Sequence, residues 1–341
     1  MKPSPSFVMQ IASLTIEVCG FNDEESACLE SLKHIFRHHI VRESESIIHR
    51  IIVCKPNEYN LPSEAALQWV APCLGVAGRV PRRPSLWSRL TRLFARNREI
   101  PLYSGTCNVR CYRDAHRQVD YFIPEYGTWR VEHHATEHLT YAYANPQEDL
   151  SDGLPPMLMN VISSQYGCYL IFASCVAVDG EALLFTGNSG VGKSTLCMEL
   201  VKQGASYLGD DLALLYVKGG KAMVGSLLFP LKYYADQERV HKTKMDMLSL
   251  SQQRPSLTAP LKAVYLVQRA DDAAQSYLRA LPGGTMLEQL LKRTNKANTH
   301  ADTRHFVTTL SSICETVPCY LLSYGNNDVI KPSFFGNHDQ R

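Results

Sequence analysis

Apolar residues recur along this chain with two different periods, and each change of period marks an element. Ile11 to Cys19 and Arg50 to Cys54 are rich in β-branched residues and predict strands. Between them Cys28, Leu29, Leu32, Ile35 and Phe36 fall at helical spacing and predict a helix within residues 24–40. Val119 to Ile123 and Trp129 to Tyr143 are aromatic and β-branched, with a turn expected at Tyr126-Gly127. Pro155-Pro156 marks a boundary. Beyond it Tyr169 to Ala177 and Ala182 to Thr186 are apolar runs separated by Val178-Asp179-Gly180-Glu181, and Asp-Gly between two such runs is a hairpin signal. Leu196, Leu200 and Val201 then give a helix closed by Gly204. Leu212 to Val217, Ala222 to Leu228 and Leu261 to Val267 predict further strands, with Lys218-Gly219-Gly220-Lys221 as a turn. Thr285-Met286-Leu287-Glu288 opens a helix with a capping-box pattern. Phe306, Val307, Leu310, Ile313 and Cys314 predict another, stopped by Pro318 before a last strand, Cys319 to Ser323.

These elements divide the chain. Residues 1–150 predict a small α+β domain without a catalytic motif of its own, residues 155–330 an α/β domain, and residues 331–341 a C-terminal tail. One stretch of the first domain is strongly basic. Arg79, Arg82, Arg83, Arg89, Arg92, Arg96 and Arg98 precede the next acidic residue, Glu99. After Pro84 the residues Leu86, Trp87, Leu90, Leu93 and Phe94 make residues 84–98 a basic amphipathic helix. It either docks by its apolar stripe with its arginines in water, or offers a surface to an acidic peptide, an acidic partner or a membrane.

Composition changes this picture little. The chain has 341 residues, 45% of them hydrophobic, enough for two cores, and a formal net charge of +2 that gives no global reason to expect nucleic acid. Its 11 cysteines are an odd number without C-x-x-C spacing, the usage of reduced, buried thiols in a cytoplasmic protein. No signal-peptide pattern opens the chain and no apolar run is long enough to span a bilayer. His134-Ala135-Thr136-Glu137-His138 has the spelling of one metalloprotease motif. That chemistry needs a helix, however, whereas Trp129 to Tyr141 alternates as a strand, which would set the two histidines about 13 Å apart at ~3.3 Å per residue.

The chemistry lies in Gly187-Asn188-Ser189-Gly190-Val191-Gly192-Lys193-Ser194-Thr195. An apolar strand precedes it and a helix follows. The spacing Gly187-x4-Gly192-Lys193-Ser194 is that of a phosphate-binding loop. Glycines let the backbone curl and aim its N–H groups inward, Lys193 reaches the outer phosphates, and the Ser194 hydroxyl is placed for Mg²⁺. Downstream, Asp210-Asp211 ends a strand: one carboxylate suits Mg²⁺, and the other suits accepting a proton from an attacking hydroxyl. Lys232, after Phe229-Pro230-Leu231, is a cation delivered by a strand exit.

Four pieces together resemble the HPr kinase/phosphorylase family, whose kinase core is shared with phosphoenolpyruvate carboxykinases. They are the hairpin before the loop, the loop itself, Gly209-Asp210-Asp211 at the family's distance from the lysine, and the strand Leu261 to Arg269. Val317 to Leu322 resembles the family's closing strand. The resemblance covers roughly residues 165–330. It implies a phosphate-loop core with a mixed sheet and an Mg²⁺- and ATP-dependent kinase acting on a serine hydroxyl. It also implies roles: Lys193 on phosphates, Ser194 and Asp211 around Mg²⁺, and Asp210 as general base. The stand-alone members it most resembles include kinases of ribosomally made peptides such as lasso-peptide precursors. Partners implied are therefore ATP and a serine-bearing peptide or protein, with a homo-oligomer left open. Two departures stand out. Relatives commonly carry His-Ala-Ser where this chain has Phe172-Ala173-Ser174, and no match to the C-terminal signature used for dephosphorylation is present. The first keeps a second reading open, a nucleotide-binding partner or scaffold without transfer activity.

Overall fold

The computed structural model describes residues 6–21, 27–41, 46–55, 68–69, 109–114, 116–124, 128–145, 150, 153–234, 242–249, 256–270, 276–295, 300–325 and 329–336. The basic stretch at residues 84–98 lies outside the described residues. The chain forms two compact units, one of residues 1–166 with 295–303, the other of residues 167–294 with 304–341.

The first unit is built on a nine-stranded sheet. Its strands are β1 (Ser6–Ile11), β2 (Leu14–Gly20), β3 (Ile40–Val41), β4 (His49–Cys54), β5 (Gln68–Trp69), β6 (Val109–Asp114), β7 (Val119–Pro124), β8 (Arg130–His134) and β9 (Leu139–Tyr143), in the order β3-β1-β2-β4-β9-β8-β7-β6-β5. Helix α1 (Ala27–Ile35) buries Cys28, Leu29 and Leu32, and α2 (Leu154–Gln165) is buried from Leu154 to Ser164. Two expectations change. Ile11 to Cys19 is not one strand, because the chain turns at Ala12, with φ +56°, and Ile11 pairs with Leu14. Trp129 to Tyr143 is likewise a hairpin. A short 3-10 helix at Ala135–Glu137 reverses it, His138 adopts φ +53°, and His134 pairs with Leu139. His134 and His138 are therefore not residues of one extended strand. His134 bonds Glu132, whereas His138 bonds Tyr166.

The second unit holds the larger sheet. Its strands are β10 (Tyr169–Ile171), β11 (Ala173–Val178), β12 (Glu181–Thr186), β13 (Ser206–Gly209), β14 (Ala213–Lys218), β15 (Lys221–Gly225), β18 (Thr258–Arg269), β19 (Tyr277–Ala280), β20 (Thr294–Asn295) and β21 (Cys319–Tyr324). A separate two-stranded ribbon pairs β16 (Leu231–Tyr234) with β17 (Lys242–Met245). The main order is β13-β11-β12-β18-β15-β14-β10-β20, with β21 paired to β18 and β19. Helices α3 (Lys193–Lys202), α4 (Gly283–Leu291) and α5 (His300–Thr316) cover it. One apolar layer joins Leu196, Leu200 and Val201 of α3 to Phe185, Tyr265 and Phe335. The opposite layer joins Met286 and Leu290 of α4, and Phe306 and Leu310 of α5, to Leu184, Leu215 and Val264. The alternation along β12 and β18 divides the core between these layers. The capping box expected at Thr285–Glu288 does not form, since α4 begins two residues earlier after Pro282, which makes no side-chain cap.

Strand directions set the site. The hairpin β11–β12 is antiparallel, turning on Asp179 (φ +52°) and Gly180 (φ +81°). β13 pairs antiparallel with β11 and so runs with β12. β12, β18 and β21 are mutually parallel. The C-terminal ends of β12, β13, β18 and β21, and the start of β11, therefore gather at one edge of the sheet. Open α/β sheets bind ligands at that edge.

Candidate functional site

The loop Gly187 to Gly192 leaves β12 at this edge and enters α3. Its conformation requires glycine at two places. Gly187 has φ +153°, and a Cβ there would lie 2.7 Å from the Val267 carbonyl of β18. Gly192 has φ +99° and caps α3, and a Cβ there would collide with the Tyr324 hydroxyl. Tyr324 closes β21 and donates to the Gly192 carbonyl at 2.7 Å, while the Arg269 guanidinium lies 5.6 Å from the Tyr324 ring centroid. Asn188, Ser189 and Gly190 are exposed, and so is Thr195 on the first turn of α3. Val191 and Ser194 are half-buried.

Lys193 is buried, with 5% of its surface exposed. Its Nζ donates to the carbonyls of Gly187 at 3.1 Å and Asn188 at 3.0 Å, so the side chain folds back across the loop. The same ammonium lies 4.5 Å from the centroid of the Phe172 ring, a cation–π contact. Phe172 occupies the bend between β10 and β11. Of the acidic pair, Asp210 instead meets the buried Ser174, two residues on. Ser174 Oγ donates a short hydrogen bond to Asp210 Oδ1.

Asp210 is 4% exposed, and its Oδ2 is buried without a hydrogen-bond partner. Burial, reinforced by the charge of Asp211, pushes its pKa up to about 6, against the hydroxyls of Ser174 and Ser194, which favour the ionised form. The influence of Ser194 places the carboxylate beside the first turn of α3. Asp211 is half-buried and held at φ +61°, in the left-handed region that aspartate tolerates better than most residues. Gly209 makes this turn possible, since a Cβ there would lie 2.8 Å from the Leu212 carbonyl. Lys232 lies on β16, and its side chain is outside the described residues.

The donors present suit a hard divalent cation. Ser194 and Asp211 offer oxygen donors, and Mg²⁺ in phosphoryl-transfer sites takes one or two carboxylates plus phosphate and water. Among the described residues no cluster of three or more His, Cys, Asp or Glu forms a metal cage.

Sequence reasoning assigned no role to two further cations here. Arg269 ends β18, and Arg293 follows α4. Arg293 Nη2 donates to Asn188 Oδ1 at 2.7 Å. No periodicity marks Arg293, because its place depends on the packing of α4 against the sheet.

The comparisons agree with the site on one segment. Residues 168–233 match the family model described as the HPr Serine kinase C-terminal domain. HPr kinase/phosphorylase of Lactobacillus johnsonii is 41% identical over 58 residues, 17% of this chain and 18% of that protein. HPr kinase/phosphorylase of Prosthecochloris aestuarii is 32% identical over 71 residues, 20% of this chain and 21% of that protein. The matched stretch is thus about a fifth of the length of these relatives. A solved structure, the Hpr(Ser) kinase/phosphatase from Coxiella burnetii, aligns with 50% of this chain and 95% of its own at 14% identity and a TM-score of 0.32. The chain is HPr kinase-like across the segment that carries the loop and the acidic pair. No helix among the described residues is long and apolar enough to cross a membrane.

Proposed function

We propose that this chain is a kinase that transfers the γ-phosphoryl group of Mg²⁺-bound ATP to a serine hydroxyl of a peptide or protein. The observation that carries this reading is the buried Asp210 carboxylate, hydrogen-bonded by Ser174 and standing beside Ser194, directly after the loop lysine. Phosphoryl transfer asks the protein mainly for positioning and for charge stabilisation where charge accumulates. The loop N–H groups and the start of α3 receive the phosphates. Lys193 leaves its carbonyl partners at Gly187 and Asn188 for the outer phosphate oxygens. Ser194 and Asp211 would hold Mg²⁺, which when bound would neutralise charge on the phosphates. Asp210 orients the acceptor hydroxyl. As the bond from the acceptor oxygen to the γ-phosphorus forms, the bond from that phosphorus to the β–γ bridging oxygen breaks. Its electron pair leaves on ADP, and the hydroxyl proton goes to Asp210.

Titration of Mg-ATP against the parent and Lys193→Ala, beside single-turnover transfer to serine peptides by Asp210→Asn, tests this. Lys193→Ala should abolish measurable binding. Asp210→Asn should keep affinity and slow transfer by roughly 10²–10⁴, the contribution of a positioned general base. Transfer at the parent rate by Asp210→Asn would remove Asp210 from the chemistry. One observation favours the second reading, a nucleotide-binding partner without transfer. Phe172 stands where resembling proteins commonly carry histidine, and it stacks on Lys193 rather than on the acidic pair. Tight ATP binding with no turnover on any serine peptide would select that reading.

A further inference from the structure

Arg293 is 7% exposed, and a guanidinium that cannot lose its proton should not be buried without an anion. Among the described residues no carboxylate pairs with it. Its partners are all neutral. Nη1 donates to the Gln289 carbonyl at 3.0 Å and to Gln289 Oε1 at 2.7 Å, and Nη2 donates to Asn188 Oδ1 at 2.7 Å. Nε is buried with no partner at all. Burial accordingly depresses its pKa, the sign of a charge whose solvation has been removed and not replaced.

The guanidinium is also aimed. Asn188 is the second residue of the phosphate loop, and its backbone carbonyl receives Lys193 Nζ at 3.0 Å. Two cations from distant parts of the chain thus converge on one exposed loop residue. The backbone fixes Arg293 from behind. Its carbonyl accepts from the Phe172 N–H at 2.8 Å, and the Phe172 carbonyl accepts from Thr186 Oγ1, at the end of β12, at 3.2 Å. Arg293, Phe172, Lys193 and the start of the loop therefore form one connected frame.

We propose that Arg293 is a ligand of the terminal phosphate, acting beside Lys193 and stabilising the charge that develops there during transfer. The proposal rests on the nucleotide-kinase reading above. A phosphate oxygen takes the place of Asn188 Oδ1 on Nη2, and the forked guanidinium meets the tetrahedral group in a way a point charge cannot. An arginine supplied within the chain serves other phosphoryl-transfer sites in this way, with effects on rate of about 10³–10⁵.

The discriminating measurement is the affinity of Mg-ATP against Mg-ADP, together with single-turnover transfer, for the parent, Arg293→Gln, Arg293→Lys and Asn188→Ala. A ligand of the terminal phosphate is lost only for ATP. Arg293→Gln should weaken Mg-ATP by roughly 10- to 100-fold, leave Mg-ADP within about threefold, and slow transfer by about 10³ or more. Arg293→Lys retains charge without the fork. It should fall between parent and Gln for both quantities, and it decides the matter if the Gln variant does not fold. Asn188→Ala should leave the preference for ATP intact. If Asn188→Ala reproduces the Arg293→Gln losses, or if the Arg293 variants weaken ATP and ADP equally, Arg293 only shapes the loop and the proposal falls while the kinase reading stands. If the parent binds neither nucleotide, the kinase reading fails and takes this proposal with it.

Discussion

At the scale of single residues, the site is governed by where a side chain cannot be. Gly192 is the sharpest case. Its φ of +99° is strained for any L side chain, and its missing Cβ leaves the space filled by the Tyr324 hydroxyl and an Arg269 guanidinium nitrogen 2.7 Å away. Gly192→Ala should destabilise the fold by about 1–3 kcal/mol, since strain and displacement of Tyr324 act together. It should also abolish nucleotide binding, because Tyr324 fixes the carbonyl on which α3 begins. Thermal unfolding and Mg-ATP titration check the two effects separately. The loop spelling made this glycine legible in the sequence. The tyrosine and arginine behind it were not, since both are placed by the parallel pairing of β12, β18 and β21. Phe172 shows the same limit. It opens the Phe172-Ala173-Ser174 stretch where relatives commonly carry His-Ala-Ser. In the structure Ser174, two residues on, meets Asp210, and Phe172 meets Lys193 instead. A pattern can tell that residues share a strand end, but not which of two neighbouring groups each will touch.

At the scale of elements, the hairpin β11–β12 was legible and the hairpin β8–β9 was not, for a physical reason. The first turns on Asp179-Gly180, a pair suited to positive φ at both central positions. The second turns on Ala135–Glu137 without glycine, and its hydrophobicity misleads. Buried positions are Val131 and His133 before the turn, and Thr140 and Ala142 after it, so the inward face passes from odd to even numbers until Tyr143, buried at the end of β9, breaks the alternation. Leu139 and Tyr141, apolar but only half-buried, continue the odd set and disguise the reversal. Two glycines at the ends of β12 give a contrasting test. Gly180 sits in a turn where an added Cβ would meet nothing within 4 Å, whereas at Gly187 it would lie 2.7 Å from the Val267 backbone. Gly180→Ala should therefore cost only the strain of an L side chain at positive φ, about 1–2 kcal/mol, and leave nucleotide affinity unchanged. Gly187→Ala forces β12 and β18 apart where they carry the loop, and should lose binding as well as stability. Urea unfolding with parallel Mg-ATP titrations of both variants separates turn from site. Equal effects would mean that the close approach of β18 to the loop has no part in binding.

At the scale of the whole molecule, the two units keep different kinds of core. The larger sheet is sealed on both faces by aliphatic and aromatic residues, apart from the acidic and basic groups at the edge that carries the glycine loop. The nine-stranded sheet instead carries a buried polar chain across β4, β8 and β9. His133 Nδ1 and His49 Nε2 both bond Thr140 Oγ1, at 2.9 and 2.8 Å. His49 Nδ1 bonds the Tyr166 hydroxyl at 3.2 Å, and Tyr166 meets His138 Nδ1 at 2.9 Å. Burial lowers His49 and His133 from 6.5 to about 3, with neighbouring basic groups adding to the effect: His138 on His49, and His49, His134, Arg113 and His138 on His133. Both are neutral in the fold and must gain protons to unfold in acid. The unfolded chain therefore binds more protons between pH 6.5 and 3, and stability falls as pH falls through that window. Each histidine should lose on the order of 2 kcal/mol between pH 6.5 and 5, an upper range for groups this buried. His134 acts in the opposite sense. Its hydrogen bond to Glu132 raises its pKa, so its contribution is present at low pH and lost as pH rises. It is only half-buried, and one partly solvated pair does not offset two buried imidazoles. Amide exchange measured from pH 7 to 5 should show protection falling on β4, β8 and β9 while β12 and β18 hold theirs. Replacing His49 and His133 together by glutamine, which can keep hydrogen bonds to Thr140 without titrating, should flatten that dependence. If the doubly substituted protein loses protection over the same pH range, the acid sensitivity of this sheet has another source.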